Sequence, residues 1–280
     1  MISVTFRKGQ RRTKWIKKAL KLSRTLTKLA RFRLAVMDGD TRYVFYPRNA
    51  IEYYRCVTFF TKEEGTIAWL KNNLRQGEVL YDIGANIGLY SLYAAKLDRN
   101  VKVYAFEPHK YTFVNLMDNI ASNELLSDIT PIAVPLSDTN DISSMNYAHL
   151  DSGSSMSQLG HSMHPENGAF TPKLQELVAC VTLDELIAKK AIPAPHHIKI
   201  DVDGNEIKIL KGMSTLLASL QKPRTIQVEI NPGQKAEVVS FLARFAYRLD
   251  HVHYTADGNI KVSRGEDGES IAHNAVFVSS

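Results

Sequence analysis

Val79-Leu-Tyr-Asp-Ile-Gly-Ala-Asn-Ile-Gly-Leu-Tyr90 decides how this chain folds. A short apolar run, Val79-Leu80-Tyr81, ends at Asp82. Gly84 and Gly88 follow, and Leu89 to Lys96 suits a helix. A buried strand, a glycine turn and a helix in that order begin a nucleotide-binding β-α-β unit. Gly84 allows a turn in which a side chain would clash. Gly88 lets the new helix sit close to the strand or to a ligand. Asn86 stands where a dinucleotide fingerprint has its second glycine, and it leaves less room for a pyrophosphate.

Downstream the α/β alternation continues. Strands are expected at about 79–83, 101–106, 129–136, 197–200 and 225–230, with helices at about 88–97, 110–121, 205–213 and 234–245. Two terminal strands, about 247–254 and 273–278, complete the pattern, with a turn at Asp257-Gly258. Upstream, residues 41–60 are rich in Tyr, Phe, Val and Arg and suggest one or two strands. Thr61-Lys-Glu-Glu64 reads as a capping box opening a helix at about 61–74. Between 138 and 178 periodicity is lost and Ser, Asn, His, Met and Gly dominate, which reads as a lid or binding loop. The chain divides into a basic arm (1–37), an N-terminal extension (38–76) and the α/β body (77–280).

In an open parallel sheet, ligands bind beyond the carboxyl ends of the strands. Asp82, Glu107, Asp201 and Glu229 stand at four such ends. Glu107 lies nineteen positions after Gly88, the spacing at which an acid reaches ribose hydroxyls. Asp82 beside the glycine turn suits a cationic amine and not a phosphate. Together with Asn86 it favours S-adenosylmethionine over NAD, whose pyrophosphate would occupy that helix start. Its alternative role is structural, accepting turn amides.

Tyr81-Asp-Ile-Gly-Ala-Asn-Ile-Gly-Leu-Tyr90, Tyr104-Ala-Phe-Glu-Pro108, Thr182-Leu-Asp-Glu-Leu186 and Ile198-Lys-Ile-Asp-Val-Asp-Gly-Asn-Glu-Ile207 resemble the FkbM-type methyltransferases. These are class I S-adenosylmethionine-dependent O-methyltransferases. The resemblance spans about residues 75–235, and Asp203 departs from it where the family often has Glu. It implies a Rossmann-like sheet of seven strands, the last antiparallel, flanked by helices. It also implies cofactor contacts at Asp82, Gly84, Asn86 and Glu107, with Gly88 in the same turn. Ser137 and Asp138, at the exit of the third strand, are candidates for the adenine end. Family members methylate hydroxyls of sugars, polyketides and lipid-linked glycans.

Methyl transfer to an alcohol needs in-line positioning and removal of a proton. Asp201 and Glu229 are the leading candidates for the base; alternatively the two hold a divalent metal that acidifies the acceptor. His109, next to the ribose acid, is a further candidate base, with His149, His161 and His164 behind it. Glu206 either caps the next helix by its charge or joins Asp201 in stabilising the turn.

The net charge of +6 is unevenly spread. Residues 1–37 hold twelve of the 35 basic residues and no acid, leaving 23 basic against 29 acidic residues elsewhere. Apolar residues recur at three- and four-residue steps from Trp15 to Ala30, giving an amphipathic helix with a cationic face. It suits an anionic membrane surface through residues 7–33, nucleic acid, an organellar transit peptide, or packing on the body. The membrane surface is the preferred reading, and the expected place is the cytoplasm or the periphery of a membrane. Nucleic acid is disfavoured as a partner, since the stretch after the fourth strand lacks the Pro-Pro-aromatic element of base-amino methylation, and methylation of an RNA ribose with the basic arm as handle stays as the alternative. No secretory signal is recognisable. Cys56 and Cys180 form neither a disulfide framework nor a zinc site, which fits a reducing compartment.

Overall fold

The computed structural model describes residues 3–7, 33–97, 99–164 and 168–280. Seven strands make the central sheet: β1 (Val79–Ile83), β2 (Lys102–Phe106), β3 (Ile129–Ile132), β4 (His197–Ile200), β5 (Thr225–Ile230), β6 (Tyr247–His253) and β7 (His273–Ser279). Their order is β6-β7-β5-β4-β1-β2-β3. Pairs from β3 through β5 are parallel, and β7 runs antiparallel to both its neighbours. This is the seven-stranded arrangement expected from the sequence. β1 is buried along its whole length, which explains its continuous apolar run. Connectivity reverses between β1 and β4, opening a crevice at their carboxyl ends.

Helices cover both faces: α1 (Ala50–Val57), α2 (Glu64–Asn73), α3 (Leu89–Ala95), α4 (Lys110–Ser122), α5 (Leu183–Ala188), α6 (Glu206–Lys211), α7 (Ser214–Ala218), α8 (Lys235–Ala243) and α9 (Ala256–Ser263). Alternation along the strands sorts the core. Leu80, Val103 and Ala105 pack with α1 to α4. Tyr81, Ile83, Ile198 and Ile200 pack with α5 to α8 on the other side. The hairpin Arg33–Asp38/Thr41–Phe45 joins the first of these cores through Leu34, Tyr43 and Phe45.

Four local expectations are corrected. The second half of 41–60 is not a strand but α1, which Asn49 caps by accepting from the amides of Ile51 and Glu52. The Thr61 capping box does not form. The Thr61 and Lys62 amides bond to Thr58 O, so they belong to the turn leaving α1, and α2 starts at Glu64 without a side-chain cap. Asp257-Gly258 lies inside α9, capped by Thr255, instead of turning a hairpin. The stretch 138–178 is not a featureless loop: Asp141–Tyr147 pairs antiparallel with Leu174–Cys180 and with Gln158–Leu159. The alternation was illegible because this sheet covers only a small core, Met145, Tyr147, Leu159 and Cys180. The amphipathic helix of the basic arm lies almost wholly outside the described residues. Within the arm, Ser3–Arg7 pairs parallel with Arg33–Asp38. Among the described residues no helix is long and apolar enough to cross a membrane. Both cysteines are buried and free.

Candidate functional site

The turn after β1 brings the sheet's middle strands together. The Gly84 and Ala85 amides donate to Phe106 O, closing β1 onto the end of β2. Gly84 has φ +81°, and a Cβ there would lie 1.7 Å from Asp201 O, so only glycine fits between β1 and β4. Asn86 takes φ +51°, a region that Asn tolerates well, and its side chain accepts from the Ile87 amide at 2.9 Å. Its own N–H donates to Glu107 Oε2 at 2.8 Å, while the His109 N–H donates to Oε1 at 2.8 Å. Two amides from two loops thus fix the Glu107 carboxylate. Burial pushes its pKa up to about 7 against the pull of those amides. Gly88, also at positive φ, seats α3 against Leu116 of α4.

Asp82 is placed differently from the expectation. It is 0% exposed and absent from the cleft wall. Ser91 Oγ donates to its Oδ2 at 2.6 Å, and Lys199 Nζ lies 3.7 Å from its Oδ1, which has no hydrogen-bond partner. Burial raises its pKa, partly opposed by Lys199 and Ser91. Asp82 therefore acts behind the site by holding Lys199. That lysine, 1% exposed, also reaches Asp201 Oδ2 at 2.9 Å. Burial pushes Lys199 toward neutrality, but Asp201, Asp82 and Glu63 more than reverse this and hold it charged. Asp201 is the mirror case: burial raises its pKa, and the charge and hydrogen bond of Lys199 bring it below the ordinary value. A lysine inside an apolar strand, His197-Ile-Lys-Ile200, was the available sequence signal, since Lys is almost never fully buried unless paired.

A cleft of about 770 Å³ runs along the strand ends and gathers Gly84, Asn86, Glu107, His109, Asp201 and Glu229. Three of the four strand-end acids, Glu107, Asp201 and Glu229, thus meet in one place with Gly84, Asn86 and His109. Glu229 is half-buried; burial, then the charges of Asp201, Asp203, Glu206 and Glu63, raise its pKa well above the ordinary value. Glu206 closes the turn after β4 by accepting from the Gly204 and Val202 amides, at 2.9 and 3.3 Å. Asp203, at φ +59°, accepts the Met156 N–H and so ties the inserted sheet to this turn. Ser154 and Ser157 of the insertion line the cleft with buried hydroxyls that lack a hydrogen-bond partner among the described residues. Arg55, Lys62 and Glu63 of the extension complete the wall. Sequence reasoning missed these, because the stretch holding Arg55 was read as a strand and Lys62 and Glu63 as the capped start of a helix.

His109 is corrected as a base. Its Nδ1 accepts from the Thr112 N–H and faces the Thr112 hydroxyl, at 3.3 and 3.0 Å, while Nε2 faces His149 O at 3.2 Å. With Nδ1 accepting, the proton sits on Nε2, and neither nitrogen offers a free lone pair. Burial lowers its pKa as well. His149 and His161 do not line the cleft, and the His164 side chain lies outside the described residues.

The adenine expectation also moves. Ser137 donates to Asp138 and packs its carbonyl where a Cβ on Gly212 would fall, and Asp138 is exposed. The residues just before them, Val134, Pro135 and Leu136, line an apolar hollow of about 410 Å³ with Phe106, Pro108 and Met145. Gly84 borders both this hollow and the cleft. Among the described residues no group of three or more His, Cys, Asp or Glu side chains is arranged to hold a metal. The Asp201 carboxylate is paired to the Lys199 ammonium, so the Asp201/Glu229 pair does not fit a metal.

The strand order, the glycine turn and the acid fixed after β2 define a Rossmann-like scaffold of the methyltransferase class. The Methyltransferase FkbM domain family matches residues 82–249, and the chain belongs to it. The chain is 29% identical over 171 residues to the hexuronic acid methyltransferase AglP of Haloferax volcanii, covering 61% of this chain and 63% of that protein. It is 29% identical over 200 residues to the 31-O-demethyl-FK506 methyltransferase FkbM of Streptomyces tacrolimicus, covering 60% and 72%. The solved structure of M. jannaschii TYW2 in complex with AdoMet aligns with TM-score 0.43 and 12% identity over 88% of this chain and 84% of that one. The chain spans less than two thirds of the length of the first of these relatives.

Proposed function

We propose that the protein is an S-adenosylmethionine-dependent O-methyltransferase acting on a hydroxyl of a sugar, glycan or glycolipid. The observation that carries this reading is a cleft that shares the walls Gly84, Pro108 and Met145 with the hollow beside it. The two bring together an apolar slot, a carboxylate pinned for a diol and a cluster of strand-end acids. The residues suit the cofactor. The hollow at Phe106, Pro108 and Leu136 offers an adenine ring an apolar slot. Glu107 presents both oxygens of a fixed carboxylate to ribose hydroxyls. Bound there, S-adenosylmethionine supplies an electrophilic methyl group on a sulfonium.

Asp201, kept ionised by Lys199, gives the cleft a fixed negative charge that favours a cationic ligand. The same pairing makes Asp201 a weak proton acceptor. Glu229 is the better base, since its surroundings raise its affinity for the acceptor's proton. The unpartnered Ser154 and Ser157 hydroxyls orient a hydroxylated acceptor. The sugar class draws support from these hydroxyls and from the relative that acts on hexuronic acid.

Two measurements test the reading. Calorimetric titration is expected to show binding of S-adenosylhomocysteine and none of NADH; the reverse overturns the assignment. Methyl transfer from labelled cofactor onto glycan, lipid and RNA fractions is expected in the glycan-bearing fractions. Glu229→Gln is expected to lower kcat by about 10²–10⁴-fold with cofactor affinity unchanged. A residual rate within about threefold of wild type removes Glu229 as the base. The membrane role of residues 7–33 rests on their sequence. It is checked by liposome flotation with and without residues 1–37, where equal partitioning argues against it.

A further inference from the structure

A second hollow of about 430 Å³ lies beside the glycine turn. It is lined by Arg55, Lys62, Glu63, Asn86, Tyr90 and Asp201 among others. Resting on the cofactor reading above, we propose that Arg55 and Asp201 hold the amino-acid end of the cofactor there. The Arg55 guanidinium takes the α-carboxylate, and Asp201 takes the α-ammonium.

The hollow holds both signs of charge, which is what a zwitterion requires. Most of those charges are already committed. Lys62 Nζ lies 3.2 Å from Glu63 Oε1. Glu63 also accepts from Thr66. Lys199 is spent on Asp82 and Asp201. Two groups remain. Asp201 uses Oδ2 for Lys199, and among the described residues no hydrogen bond occupies its Oδ1. Arg55 makes no ion pair among the described residues. Its Nε donates to Gly153 O at 2.7 Å, which fixes the side chain and leaves the terminal nitrogens for a ligand. A guanidinium presented in this way matches a carboxylate's two oxygens. Its charge is also felt at Glu107 and Asp201, on the cleft floor.

The amine needs an acid other than Asp82, because Asp82 is sealed behind the wall. Arg55 lies outside the span matched by the family, residues 82–249, and reaches the cleft only because α1 packs over it. The N-terminal extension thereby completes the cofactor site. Its contact with Gly153 links cofactor binding to the inserted sheet.

The test is a calorimetric series on the full chain with S-adenosylmethionine, decarboxylated S-adenosylmethionine and 5′-methylthioadenosine. The second ligand lacks only the carboxylate, and the third lacks the whole amino-acid end. Wild type is expected to favour the first over the second by about tenfold or more, the worth of a charge-assisted bond. Arg55→Met is expected to lose about that factor for S-adenosylmethionine and to change within about twofold for the other two. Arg55→Lys is expected to keep most of the affinity. Equal losses for all three ligands, or a wild type that does not distinguish them, overturn the proposal. Where Arg55→Met does not fold, Arg55→Gln replaces it, and a wild type that does not distinguish the first two ligands overturns the proposal without any variant. A wild type that binds none of the three overturns the cofactor reading itself.

Discussion

Replacing Lys199 by Met removes one charge from the middle of the sheet and keeps an unbranched side chain of similar reach. Lys199 Nζ stands 2.9 Å from Asp201 Oδ2 and 3.7 Å from Asp82 Oδ1, with the Tyr90 ring beneath it. Without it the Asp82 carboxylate has only the Ser91 hydroxyl, and its Oδ1 faces no partner. Breaking a buried pair on one side costs about 3–5 kcal/mol. Asp82, fully buried, carries most of that; the part owed to Asp201 is smaller because its side chain is 26% exposed. The melting temperature is expected to fall by on the order of 10 °C. The loss depends on pH. Burial raises the Asp82 pKa even beside Lys199, and removing the cation raises it further. A carboxyl with a raised folded pKa destabilises above that pKa and is relieved as pH falls through it. The gap between wild type and variant is therefore larger at pH 8 than at pH 5. Adding Asp82→Asn to Lys199→Met is expected to recover part of the loss. Melts of the three proteins at both pH values read this directly. A Lys199→Met protein within about 1 kcal/mol of wild type at both pH values refutes the reasoning.

Gly84→Ala places a Cβ 1.7 Å from Asp201 O at φ +81°, and the variant is expected to melt on the order of 10 °C lower and to lose cofactor binding; ordinary melting shows that β1 and β4 are not so closely apposed. Because the Glu107 pKa is pushed up to about 7, S-adenosylhomocysteine affinity is expected to rise as pH increases through that value, where the hydroxyl-accepting carboxylate forms. Glu107→Gln is expected to bind about tenfold or more weaker, with a flat pH profile, and an unchanged profile in the variant removes Glu107 from cofactor binding. His109→Ala deletes the cap on α4 and is expected to cost about 1 kcal/mol in a denaturant melt. Its kcat is expected to stay within about threefold of wild type, and a loss of about a hundredfold restores His109 as a base.

The sequence alone located β1, β2, β4 and β5 to within a residue, because apolar runs and glycine turns are local features. It also placed Glu107, since the distance from a glycine turn to the end of the next strand is set by one helix and one strand. The apolar hollow is walled by Val134, Pro135 and Leu136, just before the adenine candidates Ser137 and Asp138, because the exit of β3 bends into a bridge with Val181 that nothing nearby signals. The Thr61 box failed for a related reason: its residues were bonded back to the preceding helix.

What the sequence determined by itself is the order of the seven strands of the central sheet and the family to which the chain belongs. Such patterns follow from the two- and four-residue steps of the backbone. Only the tertiary structure decided which charges face the cleft. Asp82 and Lys199 are 117 positions apart and adjacent in register across β1 and β4, so one neutralises the other out of reach of solvent. Arg55 and Gly153 are 98 positions apart and meet at the cleft wall. The energy of a charge is set by what surrounds it in space, and no spacing along the chain reports that surrounding.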